Sequence, residues 1–155
     1  MSDPSFIVIP FDKVVMRDAP ITPAWVRAGS PKARMGEIAR SGDGTAVTVA
    51  WDCTAGLFEW RFGVDETVHI VDGEVTVADE NGVERTLRAG DVAFFRVGSV
   101  TLWRVDAYVR KLAVCRHAMP KPLGFALRAY TKLKWFAGLG VGGGAMTVAP
   151  GSNPA

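Results

Sequence analysis

From Ala46 onward, apolar and polar residues alternate in short runs separated by turn dipeptides. The runs 46–52, 57–62, 67–71, 74–78, 85–87, 92–95, 100–105 and 108–115 are rich in Val, Phe and Trp and read as strands. Between them lie Ala55-Gly56, Asp72-Gly73, Asn81-Gly82, Ala89-Gly90-Asp91 and Val97-Gly98, each read as a turn. Asn81-Gly82 is the strongest hairpin signal, because both residues tolerate the positive φ of a tight turn. Many short strands at this spacing predict an all-β sandwich or closed barrel.

The flanks read differently. Pro4, Pro10, Pro20 and Pro23 make the first stretch an extended arm with short edge strands, one of them at 6–10. Residues 31–40 read as basic and irregular, and Ser41 to Gly44 as a turn. Pro120 and Pro122 close the sheet region. Residues 123–137 then have helical spacing, with Leu123, Leu127, Tyr130 and Leu133 on one face and Arg128 and Lys132 on another. Five glycines follow within 138–144. The expected organisation is one domain: an arm over 1–30, a barrel over 31–118, and a C-terminal helix with a Gly-rich tail over 119–155.

Composition narrows the class. With 48% hydrophobic and 22% charged residues the chain is globular, not disordered. The net charge of +2 hides an asymmetry: all 16 acidic residues lie at or before Asp106, and after it come seven basic residues and no acidic one. Such a split marks either a contact surface or a basic segment that packs on an acidic barrel or a twin subunit. The second reading is preferred, so no nucleic-acid partner and no membrane contact are expected, although Trp135 and Phe136 beside Lys132 and Lys134 would suit a membrane surface. Cys53 and Cys115 form no Cys-x-x-Cys pair and read as buried free thiols. The N-terminus has no signal-peptide pattern, and no run approaches the roughly 18 apolar residues of a membrane span. A cytoplasmic protein is expected.

The candidate chemistry centres on 59–73. In the run 57–62, Phe58, Trp60 and Phe62 share one face, and Glu59 and Arg61 share the other. In the next run Glu66 shares a face with Val68 and Ile70, so it points inward if they do. In 100–105, Thr101, Trp103 and Val105 share a face. The expectation is that Glu59, Arg61, Glu66 and Thr101 converge with Trp103 on one cavity, with apolar walls and a few placed polar groups.

These segments resemble the cupin superfamily, whose pattern has two histidines one residue apart, three or four residues, a glutamate, six residues and a glycine. Glu66 and Gly73 fit its second half, and Gly90, Gly98 and Thr101 stand at the positions of its second segment. Trp51, Cys53, Gly56, Phe58, Trp60, Asp65-Glu66, Gly73, Gly90-Asp91, Gly98, Trp103 and Arg110-Lys111 are similar to the ureidoglycine aminohydrolase-type cupin domain, and also to the ethanolamine-utilisation cupin. The resemblance covers roughly residues 20 to 118. It implies a jelly-roll barrel, commonly dimeric.

On that alignment Glu59 and Arg61 take the histidine positions and Thr101 the last ligand position, leaving Glu66 as the one usual ligand in its place. Arg61 has no lone pair to offer a cation. No metal or other cofactor is therefore expected. The reading is a cupin that binds a small polar or anionic metabolite, with Glu66 and Glu59 as candidate acid or base, and Arg61, Thr101, Trp103, Lys111 and Trp51 as candidate substrate-binding residues. Lys111 contributes only if its side chain turns inward. Two alternatives stand beside it. One is a metal-dependent, aminohydrolase-like enzyme using Glu59 and Glu66. The other is a non-enzymatic dimeric scaffold with the basic C-terminal helix as its contact surface. Whether the chain is an enzyme is left open.

Overall fold

Six of the eight runs expected as separate strands fuse in pairs. The computed structural model describes residues 4–136, and in it the runs 46–52 and 57–62 join as β4 (Ala46–Arg61). Likewise 67–71 and 74–78 join as β5 (Asp65–Ala78), and 100–105 and 108–115 as β8 (Val100–Arg116). The shorter strands are β1 (Arg17–Asp18), β2 (Val26–Gly29), β3 (Ala33–Arg40), β6 (Glu84–Arg88) and β7 (Val92–Phe95). All pairings are antiparallel.

The long strands bend, and each serves two halves of the barrel. One half runs β3–β4–β8–β5–β7 and uses the start of β4, the end of β8 and the start of β5. The other runs β2–β4–β8–β5–β6 and uses their opposite ends. The register shifts where the halves meet, between Thr54 and Gly56 in β4 and between Ile70 and Thr76 in β5. Ala55-Gly56 and Asp72-Gly73, expected as turns, are bulges inside continuous strands, where an extra residue bends the strand. The result is an antiparallel jelly-roll barrel, as the alternation predicts.

Gly73 has φ +72°, and a Cβ there would lie 2.1 Å from the Tyr108 carbonyl oxygen on β8. Only glycine permits that approach and that backbone conformation together. At Gly56 an added Cβ would meet the Pro31 ring at 2.6–2.8 Å.

Two flanking expectations change. Residues 6–10 form no strand; the edge strands of the arm are β1 and β2. Residues 31–40 are not irregular, because 33–40 pair along β4 as β3. The apolar contacts of β3 come from small residues, buried Ala33 and Gly36, which a hydrophobic pattern hardly registers beside Arg34, Glu37 and Arg40. Gly36 lies under the arm, where an added Cβ would meet the Val15 carbonyl at 2.5 Å and the Val14 side chain at 2.6 Å. Arg110 holds the arm from the barrel side: it donates to the Phe11 carbonyl (2.8 Å) and lies 4.7 Å from the Phe11 ring centroid. Beside it the buried Asp52 carboxylate accepts two bonds from Arg34 and one from the Tyr108 hydroxyl.

Residues 119–136 belong to a separate unit, which contains α1 (Lys121–Phe136). Pro122 sits in its first turn, where no amide donor is needed. The expected Gly-rich tail lies outside the described residues. No helix among the described residues is long and apolar enough to cross a membrane.

The bend at Gly73 yields a direct comparison. Gly73→Ala should destabilise the protein by at least about 2 kcal/mol, because strained φ and steric overlap combine. Gly82→Ala has a similar φ, +77°, but open space around it, and should cost only about 1 kcal/mol. Urea unfolding of both variants checks this; equal losses would mean that the Tyr108 contact does not constrain the bend.

Candidate functional site

The bulges also decide which side chains face the lumen. Before Ala55 the inward residues of β4 are Val49, Trp51 and Cys53; after it they are Phe58 and Trp60, with Phe62 following just past the strand's end. One residue out of phase sends the entire following run to the other face. On β5, Glu66, Val68 and Ile70 point inward, then Val75 and Val77. On β8, Thr101, Trp103 and Val105 are followed inward by Val109, Lys111 and Ala113.

At the centre, Lys111 Nζ lies 2.6 Å from Glu66 Oε1. Both residues are buried, Lys111 with 2% and Glu66 with 6% of its surface exposed. Three indoles surround the ammonium, with ring centroids 4.6 Å (Trp103), 4.8 Å (Trp51) and 5.9 Å (Trp60) from Nζ. An ammonium has three N–H donors and no acceptor. The carboxylate takes one, and the electron-rich ring faces attract the rest of the charge. Trp103 donates its indole N–H to Thr101 Oγ1 at 2.8 Å. Phe58 stacks on Trp103, and Phe62 lies flat on Phe95, ring centroids 4.5 Å apart.

Five of the expected site residues are thus brought together: Glu66, Lys111, Trp51, Trp103 and Thr101. Glu59 and Arg61 are not among them. They lie on the outer face, opposite Leu102 and Val100 of β8. There Glu59 accepts from Arg27 Nη2 and from Arg61 Nε, both at 2.7 Å. The two guanidiniums hold the Glu59 carboxyl below the usual carboxylate range. The expectation that they share a cavity with Glu66 fails because the phase slip at Ala55 turns Trp60 and Phe62 inward instead. The histidine pattern allows three or four residues before its glutamate, and the structure uses three: Trp60 and Phe62 hold the two histidine places.

That arrangement bears on the metal that histidine-bearing cupins imply. The ligand places carry an indole, a phenyl ring and a hydroxyl, from Trp60, Phe62 and Thr101. The remaining donor, Glu66, is already bonded to an ammonium that would repel a cation. His69 faces outward on β5 and is exposed, and His117 follows the end of β8. Burial pushes the Cys53 thiol up to about 12 and the Cys115 thiol up to about 11, so neither offers a thiolate. Among the described residues no group of three or more His, Cys, Asp or Glu is placed to hold a metal ion. The residues present do not fit a divalent metal at this position.

A cleft of about 390 Å³ opens at the mouth of the barrel, walled by Val77, Leu87 and Phe95, with Thr101 among its lining residues and Arg85 and Arg96 at its rim. Neither Glu66 nor Lys111 lines it; Thr101 connects the cleft to the buried cluster through Trp103. Sequence reasoning missed Trp60, Phe62, Arg85 and Arg96. The first two were available from the three-residue spacing. The arginines carry no motif, and only the pairing of β6 with β5, which sets Arg85 opposite Val77, places one of them at the mouth.

Removing one partner of a buried pair leaves an uncompensated charge, at about 3–5 kcal/mol. Glu66→Gln should therefore lose stability on that scale. Glu59→Gln, at a surface cluster whose arginines stay solvated, should change it far less. Equal losses in urea unfolding would contradict the inside and outside placement of the two carboxylates.

Residues 40–113 match the EutQ-like cupin domain. No protein among those with curated functions matches the chain. Several solved structures resemble it. A DUF861-family protein of unknown function from Pseudomonas syringae pv. tomato is 23% identical, with a TM-score of 0.61 over 66% of this chain and 45% of that one. An ethanolamine utilization protein Q from Salmonella typhimurium is 21% identical, with a TM-score of 0.51 over 69% of this chain and 98% of that one. A predicted oxalate decarboxylase from Thermotoga maritima is 19% identical, with a TM-score of 0.56 over 72% and 100%. The chain thus spans less than half of the Pseudomonas protein's length, and at these identities the likenesses show the fold alone. The domain match and the barrel topology agree on the fold: the chain folds as a cupin jelly-roll barrel, and residues 40–113 are similar to the EutQ-like cupin domain.

Proposed function

We propose that this cupin binds a small anionic metabolite in the cleft at the barrel mouth, without a metal ion. The observation that carries the reading is the charge at the rim. Arg85 and Arg96 flank apolar walls, and among the described residues neither has a carboxylate partner. Asp79 also lines the cleft, but its Oδ1 accepts the amides of Asn81 and Val83 and so serves the β5–β6 hairpin. Planar guanidinium groups favour carboxylates and phosphates.

Thr101 supports the same reading from below. Its oxygen accepts the Trp103 indole N–H, which leaves its own hydroxyl proton to donate elsewhere. A ligand would place an acceptor oxygen on Thr101, its apolar part against Leu87 and Phe95, and its charge between the arginines. The role first expected of Arg61 passes to Arg85 and Arg96 in this proposal, and Glu66 acts beneath the cleft through Trp103 instead of touching the ligand.

The indole N–H resonance of Trp103 reports on this site. Titration with small carboxylates from acetate to benzoate should shift it saturably, and the matched amides should not. Arg85→Ala or Arg96→Ala should weaken carboxylate binding by roughly 10-fold or more, the scale of one charge-assisted hydrogen bond. Thr101→Val should weaken it less than either. Equal response to amide and carboxylate, or affinity indifferent to both arginines, would contradict the proposal.

A further inference from the structure

The chamber beneath the cleft is a complete cation site whose cation belongs to the protein. Trp51, Trp60 and Trp103 supply ring faces, Glu66 supplies one carboxylate oxygen at 2.6 Å, and the occupant is the Lys111 ammonium. Aromatic faces with one carboxylate suit a primary alkylammonium, whose stem packs against the rings while its N–H donors meet the carboxylate and the ring faces. They do not suit a divalent metal, which needs several oxygen, nitrogen or sulfur donors at close range. The Lys111 stem enters from β8 beside Trp51 of β4 and Ile70 of β5, its cross-strand neighbours, so the chain delivers the charge from the barrel wall.

We propose that Lys111 is a tethered cation, the resident ligand of an ammonium-recognition chamber formed by Glu66 and the three indoles, at the position where the histidine pattern would hold a metal. The chamber is selective for a primary ammonium over metal ions, and it remains so when the tether is cut. This assignment does not depend on what the cleft binds.

Lys111→Ala in the full chain removes the three stem carbons and the ammonium, and n-propylammonium replaces those atoms. The variant should melt lower than the wild type by on the order of 10 °C, since a buried carboxylate loses its partner. n-Propylammonium chloride should raise its Tm saturably. Sodium chloride at equal ionic strength, 1-propanol and manganese chloride should not, and the wild type should not respond to n-propylammonium. A rise no larger than that given by sodium chloride or 1-propanol would overturn the proposal, as would stoichiometric manganese bound to the wild type and lost in Glu66→Gln. If Lys111→Ala does not fold, Lys111→Met tests the same claim, because it fills the stem volume and leaves Glu66 unpaired. Adding Glu66→Gln to Lys111→Met should then raise the Tm; a Tm unchanged or lower would overturn the proposal.

Discussion

An ammonium and a carboxylate taken from water into a protein interior lose hydration that is worth several kcal/mol for each ion, and their attraction compensates only with good geometry and further partners. The barrel core is arranged around that requirement. Lys111 and Glu66 sit on adjacent strands, β8 and β5, and meet at hydrogen-bonding distance. The indoles of Trp51, Trp60 and Trp103 close the remaining directions with faces that attract positive charge. Removing any of these groups leaves a buried charge without its partners, so the aromatic cluster and the ion pair stand or fall as one unit.

The backbone device behind this chamber is the bulge. β4 must turn Trp51 inward in one half of the barrel and Trp60 in the other, although nine positions separate them and strict alternation would put them on opposite faces, with Glu59 and Arg61 on the face of Trp51. The register shift at Ala55 changes the phase, so the aromatic run 58, 60, 62 reaches the lumen and the charged pair moves to the surface beside Arg27. β5 changes phase in the same way around Gly73, where the backbone of β8 approaches too closely for any side chain. Site chemistry and barrel curvature thus have one origin.

Much of the fold was legible because it depends on local pattern. Alternation, turn dipeptides and the Asn81-Gly82 hairpin located the strands, and β7 was bounded without error at Val92–Phe95. The small residues of β3 hid it, because Ala33 and Gly36 are buried without looking hydrophobic. The site was half legible. Glu66, Thr101 and Trp103 follow from simple alternation within one run, and they do face inward. Glu59 and Arg61 were misplaced because a one-residue bulge leaves no reliable trace in composition, while it reverses every later side chain. The direction of Lys111 was open because the runs 100–105 and 108–115 read as separate strands; they are one strand that keeps its phase, so Lys111, eight positions from Trp103, faces inward with it.

The central claim is that the Lys111 ammonium is locked against Glu66 among three indoles, and NMR of lysine-labelled protein tests it directly. One ammonium should give a proton–nitrogen signal protected from exchange at neutral pH, and the ε-methylene protons of the same lysine should be displaced upfield by the Trp51 and Trp103 ring currents. If all lysine ammonium signals exchange freely, and every ε-methylene resonates where solvated lysines do, the barrel is not built around an internal cation.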